Sequence, residues 1–572
     1  MIERIWETAT YDAEPIDFLI RELHISPIVA RLLCIRGLQD LERARRFLAP
    51  SLDDLHDPFL LTDMAVAIER ILRAVAHKER IAVHGDYDVD GVTSTVILRR
   101  VLEMLGADVT HFIPERVRDG YGLQVPALDR LYADGVRLVI SADCGIRASD
   151  AARHATALGL DLIITDHHEP GDQLPPALAV INPKRHDCRY PDKNLAGVGV
   201  ALKVVQALCL RADRASWLPA FVKIAAIGTL ADMVPLTGEN RIISKLGLEM
   251  LSTGRHRVGL RSLLDVCGLS HKEIDSYHVG FVIGPRINAA GRMSTPDIAA
   301  RLLLASDESM ADEAKCLAQL LQSENMRRRS EEADIVKEAR AAVDSDVNIS
   351  SRSVIVVAGE NWHRGVIGIV ASKLVDLTHR PAIVLSIDGE TAHGSCRSIP
   401  SFDMLAALES CSHVMTKFGG HKQAAGLTLE ACRITELRDQ VNAYADQQTQ
   451  AGDFRPRLSI DASLTFNSIS EQIASELSAL GPFGIGNPRP VFSAGSVEIV
   501  DGPRLLKEHH LKMSFRQEGK VIRGIAWRAA DRKGFVTANR NKIDVAFSLE
   551  QDSWRGERYL QLNVIDFRPS EH

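Results

Sequence analysis

Membrane-length apolar runs, paired cysteines and an excess of positive charge are all missing from this chain of 572 residues. No apolar stretch is long enough to cross a bilayer. The nine cysteines, from Cys34 to Cys432, are scattered and none forms a Cys-x-x-Cys pair, which fits reduced thiols better than a disulfide framework or a zinc ribbon. The first thirty residues carry Glu3, Glu7, Asp12 and Glu14 and lack the uninterrupted apolar core of a secretory leader, so the expected location is the cytoplasm. A formal net charge of −7 gives no whole-protein attraction to nucleic acid, and any nucleic-acid site must be a local basic groove. Internal repeats and low-complexity segments are absent too. What remains, 45% hydrophobic and 25% charged residues, is ordinary for a globular protein. The length exceeds what one core can use and predicts three or four domains.

Residues 1–55 read as helical and amphipathic, with Ile28, Val29, Leu32 and Leu33 spaced for one buried face. Over 56–300 a parallel α/β pattern follows. Arg80–Val83, Asp108–Ile113, Val136–Ile140 and Asp161–Ile164 are short apolar runs separated by helix-compatible sequence, the spacing of βαβ units whose strands are buried on both faces. In the 301–350 region, Ser309 to Ala342 is charged, free of proline and glycine, and apolar at Leu317, Leu320, Leu321, Ile335 and Val336, which predicts a long exposed connecting helix. A second, smaller α/β unit is expected over 351–454, with strands at Val354–Val357 and Ala382–Leu385 flanking a helix from Val366 to Leu374. From 455 to 572 the pattern turns to short alternating runs, among them Val497–Val500, Val521–Trp527 and Ile543–Phe547, and predicts a small β-barrel of the OB type.

Chemistry concentrates at the ends of the first set of runs, where parallel sheets build their sites. His84-Gly-Asp-Tyr-Asp-Val-Asp90-Gly91 follows the first run, Ser141-Ala-Asp143-Cys-Gly145 the third and Asp166-His167-His168 the fourth, while Asp232 ends an apolar helix in Ile227-Gly-Thr-Leu-Ala-Asp-Met-Val-Pro235. Gly85 and Gly91 flank the first acidic group and are expected to let the backbone bend sharply. One aspartate after a strand is ordinarily a helix cap or a solvated turn. Four chain segments supplying Asp or His in order is what a site for two divalent ions needs, with one carboxylate shared. Oxygen and imidazole donors without thiolate favour Mg²⁺ or Mn²⁺ over structural zinc.

These four stretches resemble the four motifs of the DHH phosphoesterase superfamily, and their fine wording is most similar to its bacterial 5′→3′ DNA exonucleases specific for single strands. Phe47-Leu-Ala-Pro50, Leu55-His-Asp-Pro58, Gly284-Pro-Arg-Ile-Asn-Ala-Ala-Gly-Arg292, Trp362-His-Arg-Gly-Val-Ile-Gly368, Gly419-Gly-His421 and Ala424-Ala-Gly426 extend the likeness over essentially the whole chain. The resemblance implies an α/β fold: a parallel-sheet DHH catalytic domain, a long helix, a smaller α/β DHH-associated domain and a C-terminal OB-fold. It implies one ion on His84, Asp88 and Asp143 and a second on Asp90, Asp143, His167 and Asp232. Asp86 and His168 would stand beside the ions or face the substrate, with Asp166 orienting an imidazole.

On the substrate side, His393-Gly-Ser-Cys-Arg397-Ser398 would place Ser395, Arg397 and backbone amides at a glycine turn, an anion nest. Arg286 and Arg364 are further candidates for phosphate, with Asn288, Gly420 and His421 beside them in the family-like segments. Arg116 and Tyr121 follow the second run and, by resemblance, contact the 5′ end. Cys396 stands where the family usually has Gly or Ala. In the barrel, Arg504, Lys507, His509, His510 and Lys512 are candidates for a single-strand platform, and Gly481-Pro-Phe-Gly-Ile-Gly-Asn-Pro488 resembles a linker or hinge element of the family. The implied activity is two-metal-ion hydrolysis of single-stranded DNA from the 5′ end to mononucleotides, in repair and recombination. Single-strand-binding protein and a RecQ-type helicase are the implied partners. The alternatives are a phosphodiesterase for short oligonucleotides or cyclic dinucleotides, whose chains are generally shorter, and a non-catalytic DNA-binding scaffold, which intact ligand positions disfavour.

Overall fold

The structure, a computed structural model, describes residues 4–116, 118–120, 122–345, 351–554 and 557–570. It divides into two compact units: Ala49–Glu331 with Pro482–Pro488, and the remainder of the chain. Among the described residues no helix is long and apolar enough to cross a membrane.

The N-terminal block is not wholly helical. Its helices Ile16–Leu23, Pro27–Ile35 and Leu41–Leu48 bury Leu19, Val29, Leu32 and Leu33, but they are preceded by strand β1, Ile5–Thr8. This strand pairs in parallel with Arg457–Ile460, and the amide of Ser26 donates to Glu476 at 2.9 Å. The block is therefore stitched to chain some 450 residues away, a pairing that local periodicity cannot express.

In the unit of Ala49–Glu331, β2 (Arg80–His84), β3 (Asp108–Phe112), β4 (Val136–Ser141), β5 (Asp161–Thr165) and β6 (Ala179–Ile181) form one sheet in the order β3-β2-β4-β5-β6, parallel throughout. Alternate residues enter two different cores. Ile81, Val83, Ile140 and Ile163 pack under the helices Met64–His77, Val89–Met104, Gly197–Arg211 and Pro219–Ala231. Ala82, Val139, Leu162 and Ile164 pack against Val125–Ala133 and Ser149–Leu158. Burial on both faces is why these strands read as continuous apolar runs. The strand order reverses between β2 and β4, and the crevice beyond their carboxyl ends is the place for a site.

The helix expected over 309–342 runs from Ala311 to Ser345, 35 residues or about 50 Å. A 3₁₀ turn at Glu308–Met310, capped by Asp307, precedes it. It is less exposed than its charge implies. Ala314, Leu317, Ala318 and Leu321 are buried along one stripe and Ile335, Ala339 and Val343 further along, whereas Leu320 is exposed.

Strands β7 (Ile355–Glu360), β8 (Ala382–Asp388), β9 (Thr391–Arg397), β10 (Lys417–His421) and β11 (Ala424–Glu430) form a mixed sheet ordered β10-β11-β9-β8-β7, in which only β7 and β8 run parallel. Beyond β12 (Arg457–Ile460) and β13 (Ala462–Ser463), the strands β14 (Phe492–Leu506), β15 (His510–Gln517), β16 (Lys520–Ala526), β17 (Ile543–Trp554) and β18 (Glu557–Pro569) close on themselves through β14–β17 pairing into a five-stranded barrel, as expected of an OB-fold.

Candidate metal centre

Each acidic or imidazole group of the parallel-sheet unit is fixed by the element that ends beside it. His84, the last residue of β2, is fully buried. Asp88 caps the Val89–Met104 helix, its Oδ1 accepting the amide of Gly91 at 3.0 Å. Gly85 and Gly91 are not there for a left-handed turn, because neither has a positive φ. They allow close approach instead: a Cβ on Gly91 would lie 2.5 Å from the carbonyl oxygen of Asp86, and one on Gly85 2.0 Å from Thr95 Oγ1. Asp90, in the first helical turn, accepts the amides of Gly197 and Val198, each at 2.7 Å, on its two oxygens. The N-terminus of the Gly197–Arg211 helix thus faces a carboxylate at the N-terminus of another, a favourable placement of negative charge.

Asp143 follows β4 with φ of 63°, a left-handed conformation uncommon for a residue with a side chain and held here by its amide donating to Thr165 O at 3.0 Å. Asp166 accepts His167 N, His168 N and His168 Nδ1 on Oδ1, at 2.7, 3.1 and 2.7 Å, and Ile146 N on Oδ2. Burial alone would push its carboxyl up, but the bonds from His168 and the amides outweigh this and hold it below the usual range. His167 Nδ1 donates to Leu195 O at 3.1 Å, which turns Nε2 toward the carboxylates. Asp232 caps the Pro219–Ala231 helix, its amide donating to Gly228 O.

These groups converge. Ligand atoms of Asp86, Asp88 and Asp143 lie within 4.8 Å of one another, as do those of Asp90, His167 and Asp232 and of Asp143, His167 and His168. His167 Nε2 stands 3.2 Å from Asp143 Oδ1, 3.7 Å from Asp232 Oδ2 and 3.9 Å from Asp90 Oδ2. Asp143 therefore touches both clusters. Asp86, expected beside the ions, lies among the donors of one cluster, because the tight Gly91 contact folds its loop back onto Asp88.

The buried polar atoms His84 Nε2, Asp86 Oδ1, Asp143 Oδ1 and Asp232 Oδ2 have no hydrogen-bond partner. Burial, then the neighbouring carboxylates, raises the pKa of Asp86, Asp90 and Asp143 well above the usual range. Burial depresses His84 to about 4, leaving a neutral imidazole with a lone pair to give. Orphaned acceptors, mutually repelling carboxylates and a neutral imidazole fit two hard divalent cations, which satisfy all three conditions at once.

The proposed substrate residues fall into separate groups. Arg116 lies over the Tyr87 ring, 5.0 Å from its centroid, on the acidic loop itself. Tyr121 lies outside the described residues. Arg286 is engaged by Gln322 Oε1 at 2.7 Å and Val282 O at 2.6 Å. Asn288 turns inward, its Oδ1 accepting the amide of Val89 at 3.1 Å, so it supports the acidic loop.

The remaining candidates sit on the mixed sheet. His393 to Arg397 is not a glycine turn but part of β9, with neighbours on both sides, so its amides are spent on sheet pairing and form no nest. Gly394 is required by packing: a Cβ there would meet Leu385 and Leu427 at under 3 Å. Cys396 points into the core, where burial pushes its thiol up to about 12. The strand pairing sets Arg397, Ala424 and His421 in one row, Cys396, Ala425 and Gly420 in the next, and Ser395, Gly426 and Gly419 in a third. Ser395 and Arg397 share a face, and a Cβ on Gly368, near the start of the Ile367–Thr378 helix, would come 2.9 Å from Ser395 Oγ and 3.3 Å from Arg397 Nη2. Arg364 and His421 are exposed. The result is an open face of glycines flanked by cations beside a helix N-terminus.

In the barrel, Lys507 forms the turn between β14 and β15 with Glu508, Arg504 is paired with Asp501, and Lys512 stands opposite Arg504. His510 packs edge-on to the half-exposed Trp527, ring centroids 4.8 Å apart, and His509 lies beside it. Sequence reasoning missed Gly197, Val198, Leu195 and Trp527. The Gly197-Val-Gly199 helix start was a usable signal; a backbone carbonyl such as that of Leu195 carries none.

Comparison with known proteins adds to this geometry. Residues 80–229 match the DHH family N-terminal domain, 351–447 the DHHA1 domain and 460–566 the RecJ OB domain. The single-stranded-DNA-specific exonuclease RecJ of Bacillus subtilis is 38% identical over 571 residues, covering 99% of this chain and 71% of that protein. The crystal structure of RecJ from Thermus thermophilus in complex with Mn²⁺ superposes with a TM-score of 0.85 at 30% identity, covering 99% of this chain and 80% of that one. Its Mg²⁺ complex gives 0.79 at 29%, over 99% and 79%.

Proposed function

The chain belongs to the RecJ family of single-stranded-DNA-specific exonucleases within the DHH phosphoesterases, and from that premise we propose that it hydrolyses single-stranded DNA from the 5′ end, releasing mononucleotides. The observation that carries the proposal is the set of donor clusters that meet at Asp143, with buried oxygens of Asp86, Asp143 and Asp232 left without partners.

Mn²⁺ or Mg²⁺, two per chain, supplies activation of the attacking water and neutralisation of charge on the phosphate when bound. His84, Asp86, Asp88 and Asp143 would hold one ion and Asp90, Asp143, His167 and Asp232 the other. Asp166 holds His168 by Nδ1 and fixes this half-exposed ring beside Asp143, where it would face the reacting phosphate. Arg116, fixed on Tyr87, stands where it can meet a phosphate at the acidic loop. Arg364, Ser395, Arg397, Gly420 and His421 form a second phosphate-binding surface, with small residues admitting the backbone closely. Trp527 and His510, with Lys507, Lys512 and Arg504, offer stacking and charge to a strand on the barrel.

Digestion of 5′- and 3′-labelled single and double strands with Mn²⁺, Mg²⁺ or chelator tests the reading. Mononucleotides released first from the 5′ label of single strands, with none under chelator, are expected; duplex cleavage at an equal rate would overturn it. Repair and recombination in the cytoplasm, with single-strand-binding protein and a RecQ-type helicase as collaborators, complete the proposal, and co-purification with either protein checks that part.

A further inference from the structure

The Asp90–His167–Asp232 cluster is assembled from separate chain segments, with His167 Nε2 at 3.7 and 3.9 Å from the two carboxylates, too far for a hydrogen bond, and something must hold them in register. Asp90 takes its two amide bonds from Gly197 and Val198, and His167 is oriented by Leu195 O. One short segment, Asn194 to Val198, therefore positions both. Asp232 belongs to a different segment, which continues through Pro235. Asn240, fully buried at the third position of the Gly238–Thr253 helix, joins the two. Its Nδ2 donates to Asn194 O at 2.5 Å and to Pro235 O at 3.0 Å, and its Oδ1 accepts Ala196 N at 3.2 Å.

We propose that Asn240 is a positioning residue for one ion of the pair: its amide clamps the segment that aims Asp90 and His167 to the segment that carries Asp232. The other cluster, Asp86, Asp88 and Asp143, is built from the ends of β2 and β4 and has no bond to Asn240. The helix start does not depend on the Asn240 side chain. The adjacent Glu239 takes the hydroxyl of Tyr190, Lys203 Nζ at 2.9 Å and His56 N at 3.0 Å on its carboxylate, and its amide donates to Asp192. Loss of the Asn240 amide thus loosens the clamp without releasing the helix.

This inference rests on the two-ion reading above. Asn240→Asp keeps the shape and the acceptor for Ala196 N but sets a negative charge against the carbonyls of Asn194 and Pro235. Calorimetric Mn²⁺ titration of the full chain is expected to show one of two sites weakened about 10–100-fold and the other within about threefold of the parent protein. In an Asp232→Ala background, which removes a donor from the same site, Asn240→Asp should add no further loss; in an Asp88→Ala background its loss should persist. Should the Asp variant not fold, Asn240→Ser serves in its place. Two sites of parental affinity in the variant, or equal weakening of both, would overturn the role of Asn240 alone. A parent protein that binds no Mn²⁺ would instead overturn the two-ion reading.

Discussion

At the carboxyl edge of the parallel sheet, Asp86, Asp90 and Asp143 are almost wholly buried among other carboxylates, and Asp86 Oδ1 and Asp143 Oδ1 are left unbonded. On the mixed sheet, Arg397 and His421 stand in one row beside glycines, and the backbone of β9 is paired on both sides. The first region stores an electrostatic cost that only added positive charge removes, so its geometry makes sense with metal and not without. The second is satisfied by itself and offers a shallow cationic surface. A protein can keep an unstable constellation where a rigid core of doubly buried strands over-determines it. Recognition of a flexible polymer asks for the reverse, an open face that tolerates many strand conformations.

The sharpest way to break this contrast is Asp143→Asn. Activity should fall by at least about 10³-fold, about 4 kcal/mol of transition-state stabilisation, while the metal-free protein melts about 2–4 °C higher because one repelled charge is gone. Lost activity with lowered metal-free stability would show that the edge stores no such cost.

Next in size is the response to metal removal and pH. The folded-state pKa values of Asp86, Asp90 and Asp143 lie above those of an unfolded carboxylate. The unfolded chain therefore ionises these groups first as pH rises, and the metal-free protein loses stability from about pH 4 upward. Bound ions need the ionised form. The gain in melting temperature on adding Mn²⁺ should accordingly be larger at pH 8 than at pH 6; a gain that shrinks with rising pH would contradict the sign.

Arg397→Ala addresses the other region. Loss of a charge-assisted phosphate contact should raise KM about tenfold or more with kcat little changed, and an unchanged KM in steady-state kinetics would remove the mixed sheet from substrate binding. The smallest effect is expected at the barrel, where Trp527→Ala should weaken binding of a long strand about fivefold, near 1 kcal/mol, without altering cleavage of a dinucleotide. Fluorescence anisotropy reads this difference. A truncation at 455 would be a poor substitute, since it deletes β12 and leaves β1 unpaired.

Residue order alone made the parallel sheet legible, because strands buried on both faces must be apolar throughout and their ends stand out by contrast. The four ligand-bearing stretches were legible for the same reason. At 393–397 glycine in a polar run read as a turn, whereas the chain is a strand whose Gly394 yields to Leu385 and Leu427 across the sheet. Asn288 reads as a substrate contact in the sequence, yet its amide oxygen is taken by Val89. In both places the deciding partner stands on another element of the fold. Side-chain type and strand spacing thus determined which chemistry this protein carries and on which sheet. Register between distant segments decided the rest: the seating of β1 on β12 and the bonds that join Asn240 to Asn194 and Ala196. Such contacts are made by backbone amides and carbonyls, which every residue has and no sequence pattern marks.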